Sequence, residues 1–248
     1  MTNLTTSAVI PEYKVRVSPR AKHVRLKVSL AEGVVVVIPK RFNPALLDDI
    51  VRKHAGWIEK TVKQYAGQAA RFEPGQLESL PASITLPAVD ECWAIETSQT
   101  DSSSVRVSQA AKGRLHLSGN TGDLHACRQA LRRWLMRHAN THISPLLEQL
   151  SDAYGLNYSK LTIRGQRTRW GSCSSSGTIS LNYQLLFVSP AMLRYVLVHE
   201  LCHTVHMNHS RAFHALVVQI EPDAKALELQ LHQAWRSLPG WLHSLQAP

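Results

Sequence analysis

One five-residue segment constrains this chain more than any other: His199-Glu200-Leu201-Cys202-His203. Two histidines four residues apart lie on one face of a helix, one turn apart. Their ring nitrogens can then converge on a single ion at about 2.0–2.1 Å. Glu200 follows the first of them and points about a quarter-turn away, too offset to chelate easily. From there it can hydrogen-bond a water on the ion, which is the position a general base needs. The flanks agree with a helix. Ser189-Pro190 is a cap followed by a residue suited to the first turn, and Tyr195-Val196-Leu197-Val198 is the apolar approach of a buried helix.

An ion held this way needs a third protein ligand if one position is to stay open for water. His206, His209 and His214 are the candidates. In a straight helix His206 would sit about 10 Å along the axis from His199, at 1.5 Å per residue, too far to share one ion. It is better suited to flank the site, facing substrate or a developing oxyanion. His209 follows Met207-Asn208, and Asn tolerates the left-handed conformation that ends helices, so a chain reversal at Asn208 would swing His209 back. Ser210 would then cap a helix containing Phe213, Leu216 and Val217. His209 is the favoured third ligand, with His214 kept as an alternative.

Ahead of this segment the periodicity is mixed. Tyr13–Val17 and His23–Val28 alternate apolar and polar, as half-buried strands do, and Val34–Ile38 is an unbroken β-branched run after a turn at Glu32-Gly33. Asn43-Pro44 opens a helix predicted to reach about Ala66. Ser83–Leu86, Cys92–Thr97, Ser104–Val107 and Arg114–Leu117 read as short strands, with turns at Ala111-Lys112-Gly113 and Gly119-Asn120, in an antiparallel sheet continuing from the N-terminal strands. From Leu124 the period becomes helical, with Arg128, Arg132, Arg133 and Arg137 expected on its wet face and a break or kink expected near His142, because Pro145 cannot donate to the ladder. Lys160–Arg164 and Thr178–Asn182 return to strand. The second is a candidate edge strand, able to pair with an extended peptide. The expected division is a β-rich accessory unit, 1–122, and a catalytic unit, 123–248.

Charge narrows the partners. The chain carries a formal net charge of +10. Residues 1–74 hold 13 Lys and Arg against 6 Asp and Glu, whereas residues 171–248 hold 4 of each. The basic N-terminal half is therefore the candidate surface for nucleic acid or an anionic ligand, and the helix with the paired histidines lies in neutral sequence. No apolar run reaches membrane-spanning length, and Met1–Lys14 lacks the pattern of a secretory leader, so a soluble cytoplasmic protein without a membrane partner is expected. Cys92, Cys127, Cys173 and Cys202 form no CxxC pair and are expected as reduced thiols.

Arg169-Trp170-Gly171-Ser172-Cys173, Ile179-Ser180-Leu181-Asn182, the HExxH segment, Asn208-His209-Ser210 and Phe213 together resemble the YgjP-like (DUF45) metallopeptidase family. That family is similar to the WLM and SprT-like minimal zincins. The basic N-terminal strands, the Val-rich strand closing on Pro39 and His54-Ala55-Gly56-Trp57-Ile58 look like the family's front half. His214 departs from the pattern, where a Trp is common.

The resemblance implies an α+β fold: a mainly antiparallel sheet unit with a helix, then a minimal zincin-like (gluzincin-type) domain. It implies one zinc ion on His199, His203 and His209, Glu200 as the catalytic base, and a peptide or protein substrate. Arg169, His206 and His214 are the candidates for oxyanion or substrate contact. Two other readings use the same residues: hydrolysis of a non-peptide substrate such as a nucleotide phosphoanhydride, and a nucleic-acid-associated protein with a vestigial site.

Overall fold

The computed structural model describes residues 12–18, 21–29, 33–69, 79–166 and 168–243. The expected turn at Glu32-Gly33 falls partly outside them. The fold is mixed α+β, as expected, and the chain divides into two compact units: residues 1–77 with 240–248, and residues 78–239. The division expected at 122/123 is not where the contacts separate. The strands between residues 83 and 119 belong with the helices that follow them.

In the first unit, β1 (Tyr13–Ser18), β2 (Arg25–Ser29) and β3 (Gly33–Pro39) form a sheet of order β1-β3-β2. β3 pairs antiparallel with β2 and parallel with β1, so this sheet is mixed rather than mainly antiparallel. β3 is the central strand, and Val34–Ile38 are all buried, the near-continuous apolar run of a strand covered on both faces. Val34, Val36 and Ile38 pack with Val28, Leu47, Val51 and Ile58.

Asn43 caps a short 3-10 turn, Pro44–Leu46, by accepting from the Ala45 N–H at 3.1 Å. The helix predicted beyond it is in fact two, α1 (Leu47–Lys53) and α2 (Ala55–Ala69). They break at His54, whose ring Nδ1 lies 2.8 Å from the Ile50 carbonyl.

In the second unit, β4 (Ser83–Leu86), β5 (Glu91–Gln99), β6 (Val105–Ala111) and β7 (Arg114–Gly119) form a sheet of order β4-β5-β7-β6, separate from the first. β6 and β7 make the expected hairpin, but β7 then lies parallel to β5. That arrangement places Leu115 and Leu117 in the interior, both fully buried. Asp123 caps α3 (Leu124–Tyr154) through the Ala126 N–H at 2.9 Å, and Gly155, at φ 64°, ends it. α3 continues unbroken through Pro145. Arg128, expected in water, is buried and donates to the Ser79 carbonyl.

A third sheet joins β8 (Lys160–Arg164), β9 (Gly171–Cys173) and β10 (Thr178–Asn182) in the order β8-β10-β9. β10 therefore has neighbours on both sides and cannot be the edge strand expected of it. Its residues Ile179 and Leu181 are fully buried, and β9 takes the edge. α4 (Pro190–Cys202), α5 (Arg211–Ile220) and α6 (Ala224–Ala234) complete this unit, with α4 against α5, α6 and β9. The short α7 (Gly240–His243) belongs to the first unit. No helix among the described residues is long and apolar enough to cross a membrane.

Candidate active site

α4 begins as its sequence predicts: Ser189 accepts from the Met192 N–H at 3.3 Å, and Pro190 occupies the first turn. The helix buries Tyr195 through Val198 and ends at Cys202, so His199 and Glu200 lie in its last turn and His203 forms its C-cap. The chain does not then reverse through a left-handed Asn208. Among the described residues Asp90 alone of the non-glycines has positive φ. Instead the Thr204, Val205 and His206 N–H groups bond back to the carbonyls of Leu201 and Cys202, tightening the helix end into a turn. Ser210 opens α5 as predicted, accepting from the Phe213 N–H at 3.3 Å.

This turn brings His209 to His199, with the two Nε2 atoms 3.3 Å apart. His199, His203 and His209 present ring nitrogens that all lie within 4.8 Å of one another. One phenyl ring backs all three. Phe213 stacks on His203 at 4.4 Å and meets His199 and His209 edge-on at 5.0 and 4.9 Å. His206 contributes its backbone: its carbonyl lies 3.0 Å from His203 Nδ1, so a proton held there leaves Nε2 as the free nitrogen. The His214 ring lies 6.1 Å from that of His209, exposed and outside the cluster.

The donor set suits a zinc ion. Ligating imidazoles must be neutral. Burial, followed by the neighbouring histidines, holds His199 down at about 4, and burial also lowers His203. Ligand atoms of a tetrahedral zinc site with bonds of 2.0–2.1 Å are about 3.3–3.4 Å apart, which the His199–His209 spacing matches.

Glu200 is 5% exposed, and its Oε2 is buried with no hydrogen-bond partner among the described residues. Burial pushes its carboxyl up to about 8, against the opposing charge of exposed Arg169. Gly171 on β9 makes room for it. A Cβ there would lie 2.7 Å from Glu200 Cγ and closer still to Oε1. The Arg-Trp-Gly-Ser-Cys motif marked this segment in the sequence without revealing why its glycine is needed. Cys173 is no ready nucleophile: burial and the Glu200 charge raise its thiol above the ordinary range.

A cleft of about 230 Å³ opens beside His199 and Glu200, lined also by Trp170, Tyr195, Glu228 and Trp235. Trp170 and Trp235 stack with centroids 4.0 Å apart. Sequence reading missed Glu228 and Trp235. Glu228 lies in the middle of α6 and Trp235 caps its C-terminal end, and the helix's spacing alone gives no hint that it faces the site.

A family profile described as the YgjP-like metallopeptidase domain matches residues 22–234. Among solved structures, the chain is similar to the metallopeptidase zymogen abylysin of Pyrococcus abyssi, 28% identical, over 37% of this chain and 93% of that one, with a TM-score of 0.35. It is also similar to the metallopeptidase zymogen jannalysin of Methanocaldococcus jannaschii, 21% identical, over 37% of this chain and 95% of that one, with a TM-score of 0.34. No curated protein matches it significantly. Matched along most of its length, with the motif residues gathered at one place, the chain belongs to the YgjP-like metallopeptidase family.

Proposed function

We propose that this chain is a zinc-dependent hydrolase of peptide bonds with a minimal-zincin site, in which His199, His203 and His209 hold the metal and Glu200 is the general base. One observation carries the reading: a buried carboxylate oxygen without a partner among the described residues, one residue from the first of three converging imidazoles. A structural carboxylate would be expected to have its hydrogen bonds satisfied. An unsatisfied one beside a ligand cluster is positioned to take a proton.

Bound zinc would supply Lewis-acid polarisation of the scissile carbonyl and a lowered pKa for water in the cleft. Glu200 accepts the proton from the attacking water and returns it to the leaving amine. Positive charge from a divalent cation favours the carboxylate form of Glu200 over the neutral acid that burial alone favours. The outer edge of β9, unpaired among the described residues, offers an extended peptide a strand to add to. Arg169 is the candidate for steadying the oxyanion, ahead of His206 and His214, because its charge already acts on Glu200.

Glu200→Gln tests this. Zinc content by plasma mass spectrometry and the circular dichroism spectrum are expected unchanged. Hydrolysis of casein or a peptide mixture is expected to fall about 10²–10⁴-fold, the usual contribution of a general base. Undiminished turnover in that variant would overturn the assignment.

A further inference from the structure

The helix α3 carries a second pair of histidines four residues apart, His138 and His142, and the fold brings Glu91 from the start of β5 to meet them. Glu91 Oε2 lies 2.6 Å from His138 Nε2, and Oε1 lies 3.5 Å from His142 Nε2. Each carboxylate oxygen thus faces its own imidazole, and the three residues' ligand atoms all lie within 4.8 Å of one another.

The cluster is held from outside. Trp93 Nε1 donates to Glu91 Oε2 at 2.8 Å, the kind of outer hydrogen bond that orients a ligating carboxylate. His138, 8% exposed, is stacked on Trp134 at 4.6 Å with Trp93 edge-on at 5.5 Å. The backbone enters β5 through Asp90 at φ 53°, a conformation few non-glycine residues adopt. On the other side, the His142 and Glu91 side chains are 32% and 26% exposed, which leaves a wet approach for an ion and its remaining waters.

We infer that Glu91, His138 and His142 form a second binding site for a borderline divalent cation of the zinc class, joining β5 to α3. Two imidazoles and one carboxylate suit zinc, cobalt(II) or nickel(II), whereas calcium and magnesium prefer all-oxygen sites. The cluster's one carboxylate is itself a ligand, so nothing within it can serve as a general base. Its role is to fasten the sheet to the helix, and it stands whether or not the first cluster is catalytic.

The test is calorimetric titration of the chelator-stripped full chain with Zn²⁺, repeated with Co²⁺ to follow the visible ligand-field bands. The wild type is expected to bind two ions. The double variant His199→Ala/His203→Ala should bind one, and adding His142→Ala to it should leave none. His142→Ala alone should also bind one ion. Losing an outer partner costs about 10–100-fold in affinity, so losing a ligand should weaken the second site by at least that factor. Excess Zn²⁺ should raise the melting temperature of the double variant by about 5 °C and leave the triple variant unmoved.

Folding of each variant is checked by its metal-free circular dichroism spectrum. If the triple variant does not fold, Glu91→Gln on the double-variant background replaces it with a near-isosteric loss of one ligand. One ion in the wild type with none in the folded double variant would overturn the inference. So would a zinc-induced shift that survives removal of His142 or Glu91. Failure of the catalytic reading looks different: two ions bound, with Glu200→Gln fully active.

Discussion

α3 and α4 each present two histidines four residues apart, and the fold completes the two pairs in different ways. On α4 the third partner is another imidazole, His209, and the nearby carboxylate stands apart with one oxygen unsatisfied among the described residues. On α3 the third partner is the carboxylate itself, and both oxygens of Glu91 are already engaged. Identical spacing therefore does not fix the chemistry. On the proposed reading, what separates a base from a ligand is whether the acid lies in the ring of donors or one step outside it. Burial acts on the two acids accordingly. It lifts Glu200 to about 8, whereas for Glu91 the same penalty is outweighed by hydrogen bonds from Trp93 and His138 and by the histidines' charge, leaving it below its ordinary value.

The contrast can be broken most severely at His209. His209→Ala should lower zinc affinity at the α4 cluster by at least 100-fold, while His209→Glu, which copies the α3 donor set, should restore much of it; competition against a fluorescent chelator reads both. Gly171→Ala comes next. Its new methyl group occupies the space of the Glu200 side chain, and a base displaced by about 1 Å should cost about 100-fold in kcat/KM with zinc retained.

A third effect is on stability. In the metal-free chain Glu200 titrates near 8 when folded and near its ordinary value when unfolded, so the folded state holds the extra proton between those limits. The Glu200 contribution to stability should therefore fall as pH rises from about 4.5 to 8, most plainly above about 6.5 where the depressed His199 no longer opposes it, and the Glu200→Gln variant should lack that contribution. Urea melts of both across this window give the difference directly. The smallest effect belongs to His214→Ala. With its ring exposed and outside the cluster, zinc affinity should change less than about 3-fold, within surface-substitution scatter.

The local parts of this molecule were legible in its sequence. Ser189-Pro190, Asn43 and Ser210 cap where capping chemistry places them, and the HExxH segment is helical because its neighbours and spacing agree. What joins distant strands was not legible. A hydrophobic pattern tells which face of a strand is buried and leaves its neighbour open, so the parallel pairing of β1 with β3 and of β5 with β7, and the central place of β10, depend on how whole sheets close. The meeting of Glu91 with His138 spans 47 residues and has no local signature. Even at the first cluster the sequence pointed to His209 through a left-handed Asn208, and the fold reached the same ring by a tightened helix end instead.

Phe213 has a consequence for how the three α4-cluster rings behave before any ion arrives. A single phenyl touches every one of them, so their rotations are restricted together by an apolar surface that water does not compete for. The entropy of aligning the rings is then lost once, during folding, and not again at each encounter with metal. A cavity preorganised in this way should capture its ion with little rearrangement and release it slowly, and trimming that one aromatic ring would loosen three donors at a stroke.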